Sequence, residues 1–283
     1  MDDLAERIKG AIENPNGELW FPDLTADLAA RAWESLHHDI GLTPDSYGTE
    51  RVLSRSHSAS REVITSLKTC PSICATAPTI SIEALTPECA VQYKKQGVTF
   101  YTPDEIFHTS VLSCIEEALA IINQVPSLMR TVAALVRTLH IIKPEKIDYD
   151  VSFSEPQVPF SIFVSVPEKR IPNDALRVAE AMVHEAMHLQ LTLIEKTVAL
   201  AVASSTEIFS PWRGEYRTVN GVLHGLYVFR VIQQFLRAVR EPFADNVAHI
   251  ESRCIEISSQ MRSVRGFEGC SDLTRIGAAL AKI

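Results

Sequence analysis

One stretch limits what this chain can fold into more than any other: DALRVAEAMVHEAMHLQLTLIE, from Asp174 to Glu195. At 100° per residue, Leu176, Ala179, Val183, Met187 and Ile194 fall on one stripe, and Val178, Met182, Ala186, Leu189 and Leu193 widen it. So broad an apolar face predicts a long helix buried around most of its girth. The remaining sector holds Arg177, Ala181, His184, Glu185, His188, Thr192 and Glu195. Two histidines four apart stack on one face, where both imidazoles reach a single ion about 2.1 Å away. Asn173, following Pro172, is placed to cap the helix start. The pentapeptide HEAMH therefore predicts a metal site with His184 and His188 as ligands and Glu185 between them.

The segment ahead of this helix has another texture. KIDYDVSF and VPFSIFVSV are short, rich in β-branched and aromatic residues, and separated by SEPQ, which predicts a hairpin over about 146–166. Val158, Phe160, Ile162, Val164 and Val166 alternate to one face of its second strand. In metallopeptidases with this hairpin-then-helix order the strand beside the motif helix pairs with extended substrate, and the likeness implies the same for the strand at 158–166. Elsewhere the pattern reads as helix. DLTADLAARAWESLHHDIG predicts a helix that starts near Asp23 or Thr25 and stops at Gly41, with His37 and His38 suiting the dipole of its last turn. Helices are also expected at 50–68, at 103–126 and at 127–141, around a broken segment at 69–103. The fold class predicted is α+β and predominantly helical, with a small antiparallel sheet packed beside a zincin-like HExxH helix. The chain reads as a single catalytic domain, 1–283, with a helical N-terminal part at 1–145 and a metal-site part at 146–283.

The 283 residues, 46% of them apolar, are enough for a real core, and a net charge of −8 argues against non-specific nucleic-acid binding. No run approaches the roughly 20 apolar residues that span a bilayer, and MDDLAERIKG lacks the basic start of a signal peptide. A cytoplasmic location with no membrane partner is the expectation. The six cysteines, Cys70, Cys74, Cys89, Cys114, Cys254 and Cys270, are scattered and read as reduced core thiols.

A third ligand decides the chemistry, and two positions compete. Glu207 in SSTEIFS lies 19 residues past His188, about where a thermolysin-like peptidase keeps a glutamate. His224 lies in PWRGEYRTVNGVLHGLYVF, where Asn220 is expected to cap a helix over 221–239 that puts His224, Val228, Val231 and Phe235 on one face. Glu195 shares the polar sector of the motif helix but sits about 16 Å of helix rise from His184, too far to close the same site.

Over residues 150–240, AEAMVHEAMHLQL followed by PWRxxxRxxxGxLHG resembles the HExxH-type, 2-oxoglutarate-dependent, non-haem iron peptide β-hydroxylases that modify ribosomally made peptides. The resemblance implies iron(II), Fe(II), held by His184, His188 and His224, with 2-oxoglutarate as co-substrate and a precursor peptide as substrate. It implies that Arg217 or Arg213 holds the distal carboxylate of 2-oxoglutarate in a bidentate grip, and that Glu185 serves the site without acting as a base. The alternative reading is a zinc (Zn) peptidase with Glu185 as the water-activating base. A third is a metal-stabilised peptide-binding protein without catalysis.

Overall fold

The computed structural model describes residues 3–39, 62–68, 79–85, 87–146, 150–155, 158–242 and 246–283. It is a predominantly helical α+β protein whose described residues divide into two compact units, 26–189 and 1–25 together with 190–283.

In the 26–189 unit, strands β1 (Glu62–Lys68), β2 (Thr79–Ala84), β3 (Thr99–Phe100), β4 (Thr138–Lys143), β5 (Ser152–Phe153) and β6 (Ser161–Ser165) form one sheet. Its order is β1-β2-β4-β6-β5, with β3 paired to β4. The predicted hairpin is present: β5 and β6 run antiparallel, with Ser152 opposite Val164 and Phe153 opposite Phe163. The sheet is larger than a hairpin, however, and it is mixed, because β4 runs parallel to both β2 and β6. The part expected to be helical, 1–145, thus supplies four strands, of which β2 and β3 lie in the broken segment 69–103 and β1 and β4 begin in expected helices. EVITSLK, at the end of the helix expected over 50–68, is β1, and residues 50–61 lie outside the described ones. The helix expected over 127–141 stops at Leu135, and TLHIIK becomes β4, buried from Thr138 to Ile142. A fully buried inner strand loses its two-residue alternation, so its apolar run continued the helical pattern before it.

Strand β6 is buried along its whole length and flanked on both sides by β4 and β5. The expected role of 158–166 as an open strand for peptide pairing is therefore overturned, and the outer position at that end of the sheet order belongs to β5. Phe163 of β6 lies between His140 and Phe153, with ring centroids 4.6 and 4.5 Å away. That stack ties the short β5 to the sheet.

Helices α1 (Asp3–Glu13), α2 (Pro22–Asp39) and α3 (Pro87–Lys94) come early in the chain. The helix expected over 103–126 is two: α4 (Pro103–His108), held by a capping box between Thr102 and Glu105, and α5 (Val111–Ile122). Helix α6 (Pro126–Leu135) follows, and then the motif helix α7 (Asp174–Glu195). Asn173, just before α7, has a left-handed φ of 61°, which asparagine tolerates, and its carbonyl accepts the bond from Arg177 N–H. Arg170 then clamps the helix start. It reaches Asp174 through Nε at 2.6 Å and both oxygens of Glu117 at 2.6 Å. Burial alone would raise the Asp174 carboxyl, but Arg170 and the N–H groups of Ala175 and Ile171 outweigh it and hold the group below its usual range.

The unit of 1–25 and 190–283 is built around α8 (Val219–Val239), which packs against α9 (Val247–Ser263), α10 (Arg275–Lys282) and the hairpin of β7 (Glu207–Ser210) and β8 (Glu215–Thr218). The N-terminal segment enters this core. Tyr227 Oη donates to the Leu19 carbonyl at 2.6 Å, and Gln190 Nε2 donates to the Trp20 carbonyl at 2.7 Å. Cys114 is buried, its thiol pushed up to about 12 by desolvation, while Cys89, Cys254 and Cys270 are half-exposed. All four are free thiols; Cys70 and Cys74 lie outside the described residues. Among the described residues no helix is long and apolar enough to cross a membrane.

Candidate metal centre

The stripe Leu176, Ala179, Val183, Met187 and Ile194 of α7 is buried, as are Val178, Met182 and Ala186 beside it, whereas Leu189 and Leu193 at its edge are partly exposed. In the predicted polar sector Arg177, Ala181, His184, His188, Thr192 and Glu195 are partly exposed, and Glu185 is buried. The two imidazoles meet with ring centroids 4.8 Å apart and Nε2 atoms 3.1 Å apart. That contact is an N–H···N hydrogen bond. Two nitrogens at this spacing also match the edge between neighbouring ligands of an octahedral ion, about 3.0 Å for bonds of about 2.1 Å. A pair of imidazole nitrogens is a donor set that iron(II) and zinc both accept.

Glu185 is held from the sheet. Ser152 of β5 donates its hydroxyl to Glu185 Oε1 at 2.7 Å, and the same oxygen lies 3.9 Å from His184 Nε2. The carboxylate is only 4% exposed. Nothing in the sequence marked Ser152 as a partner, since the contact depends on the pairing of β5 with β6, which brings residues 33 apart in the chain together.

His224 lies on α8, in the other unit. Its Nε2 is 3.0 Å from Glu195 Oε2 and 3.5 Å from Asn220 Nδ2. Burial pushes the Glu195 carboxyl up, but bonding and charge from His224, with help from Asn220, outweigh it and leave it below its usual value. Asn220 is not the cap of this helix. Thr218 is, accepting from Gly221 N–H at 3.2 Å, because the helix begins two residues earlier than predicted. The glycine of GVLHG has a packing reason: a Cβ on Gly225 would sit 2.9 Å from the indole of Trp212. That ring stacks on Phe229 at 5.4 Å.

Arg217 lies on the exposed face of β8, where its Nη1 meets Glu215 at 2.9 Å, and Arg213 is exposed in the turn before it. Glu207 opens β7 and is also exposed. The structure thus brings His184, His188 and Glu185 together, and it sets His224 against Glu195. Among the described residues no three His, Cys, Asp or Glu side chains gather as a ready-made ion cage. No model of a known protein family matches the chain, and no curated protein matches it.

Proposed function

We propose that this chain is an iron(II)- and 2-oxoglutarate-dependent oxygenase that hydroxylates a side-chain carbon, the β-position, of a ribosomally made peptide. The observation that carries the reading is the meeting of His184 and His188 through Nε2, 3.1 Å apart on one face of α7, an imidazole pair of the kind that iron(II) takes. The resemblance of the HEAMH helix and the PWRxxxRxxxGxLHG block to peptide β-hydroxylases supports it. Iron(II) at such a site would supply activation of dioxygen together with oxidation of a chelated 2-oxo acid.

The chain's own residues have separate tasks. His184 and His188 would hold the metal, and the resemblance names His224, whose Nε2 meets Glu195 in this structure, as the third ligand. Arg217, or Arg213 beside it, would take the distal carboxylate of 2-oxoglutarate, since an unpaired carboxylate in a partly dry site is costly. Ser152 positions Glu185, and Glu185 in turn borders His184. A zinc peptidase needs that carboxylate to accept a proton from water, and its burial and its bond to Ser152 weigh against such use. An extended peptide can add to the outer side of β5, next to the Ser152–Glu185 bond. Reduced thiols at Cys89, Cys114, Cys254 and Cys270 go with a cytoplasmic protein.

Anaerobic reconstitution with iron(II), followed by 2-oxoglutarate and air, tests the reading. Stoichiometric succinate release is the expected result. Peptide cleavage with zinc and no succinate with iron would replace it by the peptidase.

A further inference from the structure

A cavity of about 470 Å³ opens among α8, α9, α10 and the 3-10 turn Phe267–Gly269, wholly within the 190–283 segment. Arg230, Arg262, Arg265 and Lys282 line it against a single acid, Glu268. Four positive charges against one invert the sign of a chain whose net charge is −8, so general basicity does not account for them. Arginines nearby in this unit find carboxylates, Arg240 at Glu251 and Arg253 at Glu256. Arg262, Arg265 and Lys282 are exposed, and their side chains have no bonded partner among the described residues.

Arg230 differs from these three. It is half-buried, and its Nη1 donates to the Ala281 carbonyl at 2.7 Å, which fixes the guanidinium at the end of α10. Burial depresses its pKa, with Glu268 pulling the other way. Its hydrogen-bond acceptors among the described residues are backbone carbonyls, so part of its positive charge is desolvated without a bonded counter-ion, a condition that an incoming anion relieves. The floor is aliphatic, with Leu226 and Val264 buried beneath the cations. No aromatic ring lines the cavity, so nothing there stacks on a nucleobase.

We propose that this cavity binds a small aliphatic polyanion, two or three carboxylate or phosphate groups on a short apolar frame. Its volume lies within the range of ligand pockets. The proposal stands on the cavity alone and does not rest on the oxygenase reading.

Calorimetric titration of the full chain with propane-1,2,3-tricarboxylate, and separately with pyrophosphate, tests it. Saturable binding of at least one probe is expected, and the tighter of the two identifies the acid chemistry. The double variant Arg262→Gln/Arg265→Gln should bind at least tenfold more weakly, with an unchanged Tm because both side chains are exposed. His188→Ala should bind as the parent does, since the metal site plays no part. The proposal is overturned if neither probe saturates, if the double variant binds equally well, or if His188→Ala abolishes binding. Binding of a polyglutamate peptide and of neither small anion overturns it as well.

Discussion

Each compact unit sets a histidine beside a glutamate, and the two do so in opposite ways. In the 26–189 unit, Glu185 turns to the hydroxyl of Ser152, and the imidazoles of His184 and His188 meet each other through Nε2. In the other unit, Glu195 takes Nε2 of His224 directly. A carboxylate bonded to an imidazole fixes its orientation, whereas one committed to a hydroxyl leaves the two rings to face each other. The comparison teaches that the partner of the carboxylate decides the partner of the imidazole: where Ser152 takes Glu185 the two histidines meet each other, and where Glu195 has no such hydroxyl contact among the described residues it meets His224.

The comparison breaks most decisively at the pair. His184→Ala or His188→Ala should abolish iron binding with far-ultraviolet circular dichroism unchanged, because both side chains are partly exposed on α7. His224→Ala should keep the pair but weaken iron at least tenfold. Full metal content by elemental analysis in either motif variant would remove the site. Glu185→Gln follows in size. A hydroxylase should continue to release succinate at a reduced rate, while a peptidase would lose several orders of magnitude. Loss of all succinate with iron retained counts against the oxygenase.

Stability sharpens the contrast between a buried and an exposed anchor. Arg170→Ala leaves the buried Asp174 with only the N–H groups of Ala175 and Ile171 at the start of α7, and should cost about 1–2 kcal/mol by denaturant titration. Because the folded Asp174 carboxyl lies below its usual 3.8, its contribution is complete above that value and is lost as pH falls through the lowered folded one. The Arg170 variant should therefore show a shallower loss of stability in acid than the parent. Gly225→Ala should cost about 1–2 kcal/mol and shift Trp212 fluorescence, since the new methyl meets the indole. The smallest structural effect is expected from Arg217→Ala. Its pairing with Glu215 is exposed, so stability should move by less than about 0.5 kcal/mol. Its apparent KM for 2-oxoglutarate should still rise at least tenfold, with peptide affinity unchanged. An unaltered KM would pass the role to Arg213.

The legible parts were those that a helical period fixes locally. The buried stripe of α7 and its polar sector follow from residues within a few turns of one another, as does the face of α8 that carries His224. The illegible parts depend on pairing across the chain. TLHIIK is a strand because β2 and β6 enclose it, and β6 is interior for the same reason. Glu195 was excluded from the motif site by helix rise, yet nothing in the local pattern names His224, 29 residues later, as its partner. The cap of α8 was misplaced by two residues because Thr218 and Asn220 are both good capping types and only the packing of β8 selects between them.

The bonds from Tyr227 and Gln190 to the carbonyls of Leu19 and Trp20 also set an order of events during synthesis. The acceptors leave the ribosome first and their donors 170 and 208 residues later. At about 5–20 residues per second the first segment waits roughly ten to forty seconds for its partners. Meanwhile residues 26–189 have emerged and can fold as their own unit. Trp20 and Phe21, buried in the finished protein, precede residues 190–283 in synthesis, so their burial awaits that later segment.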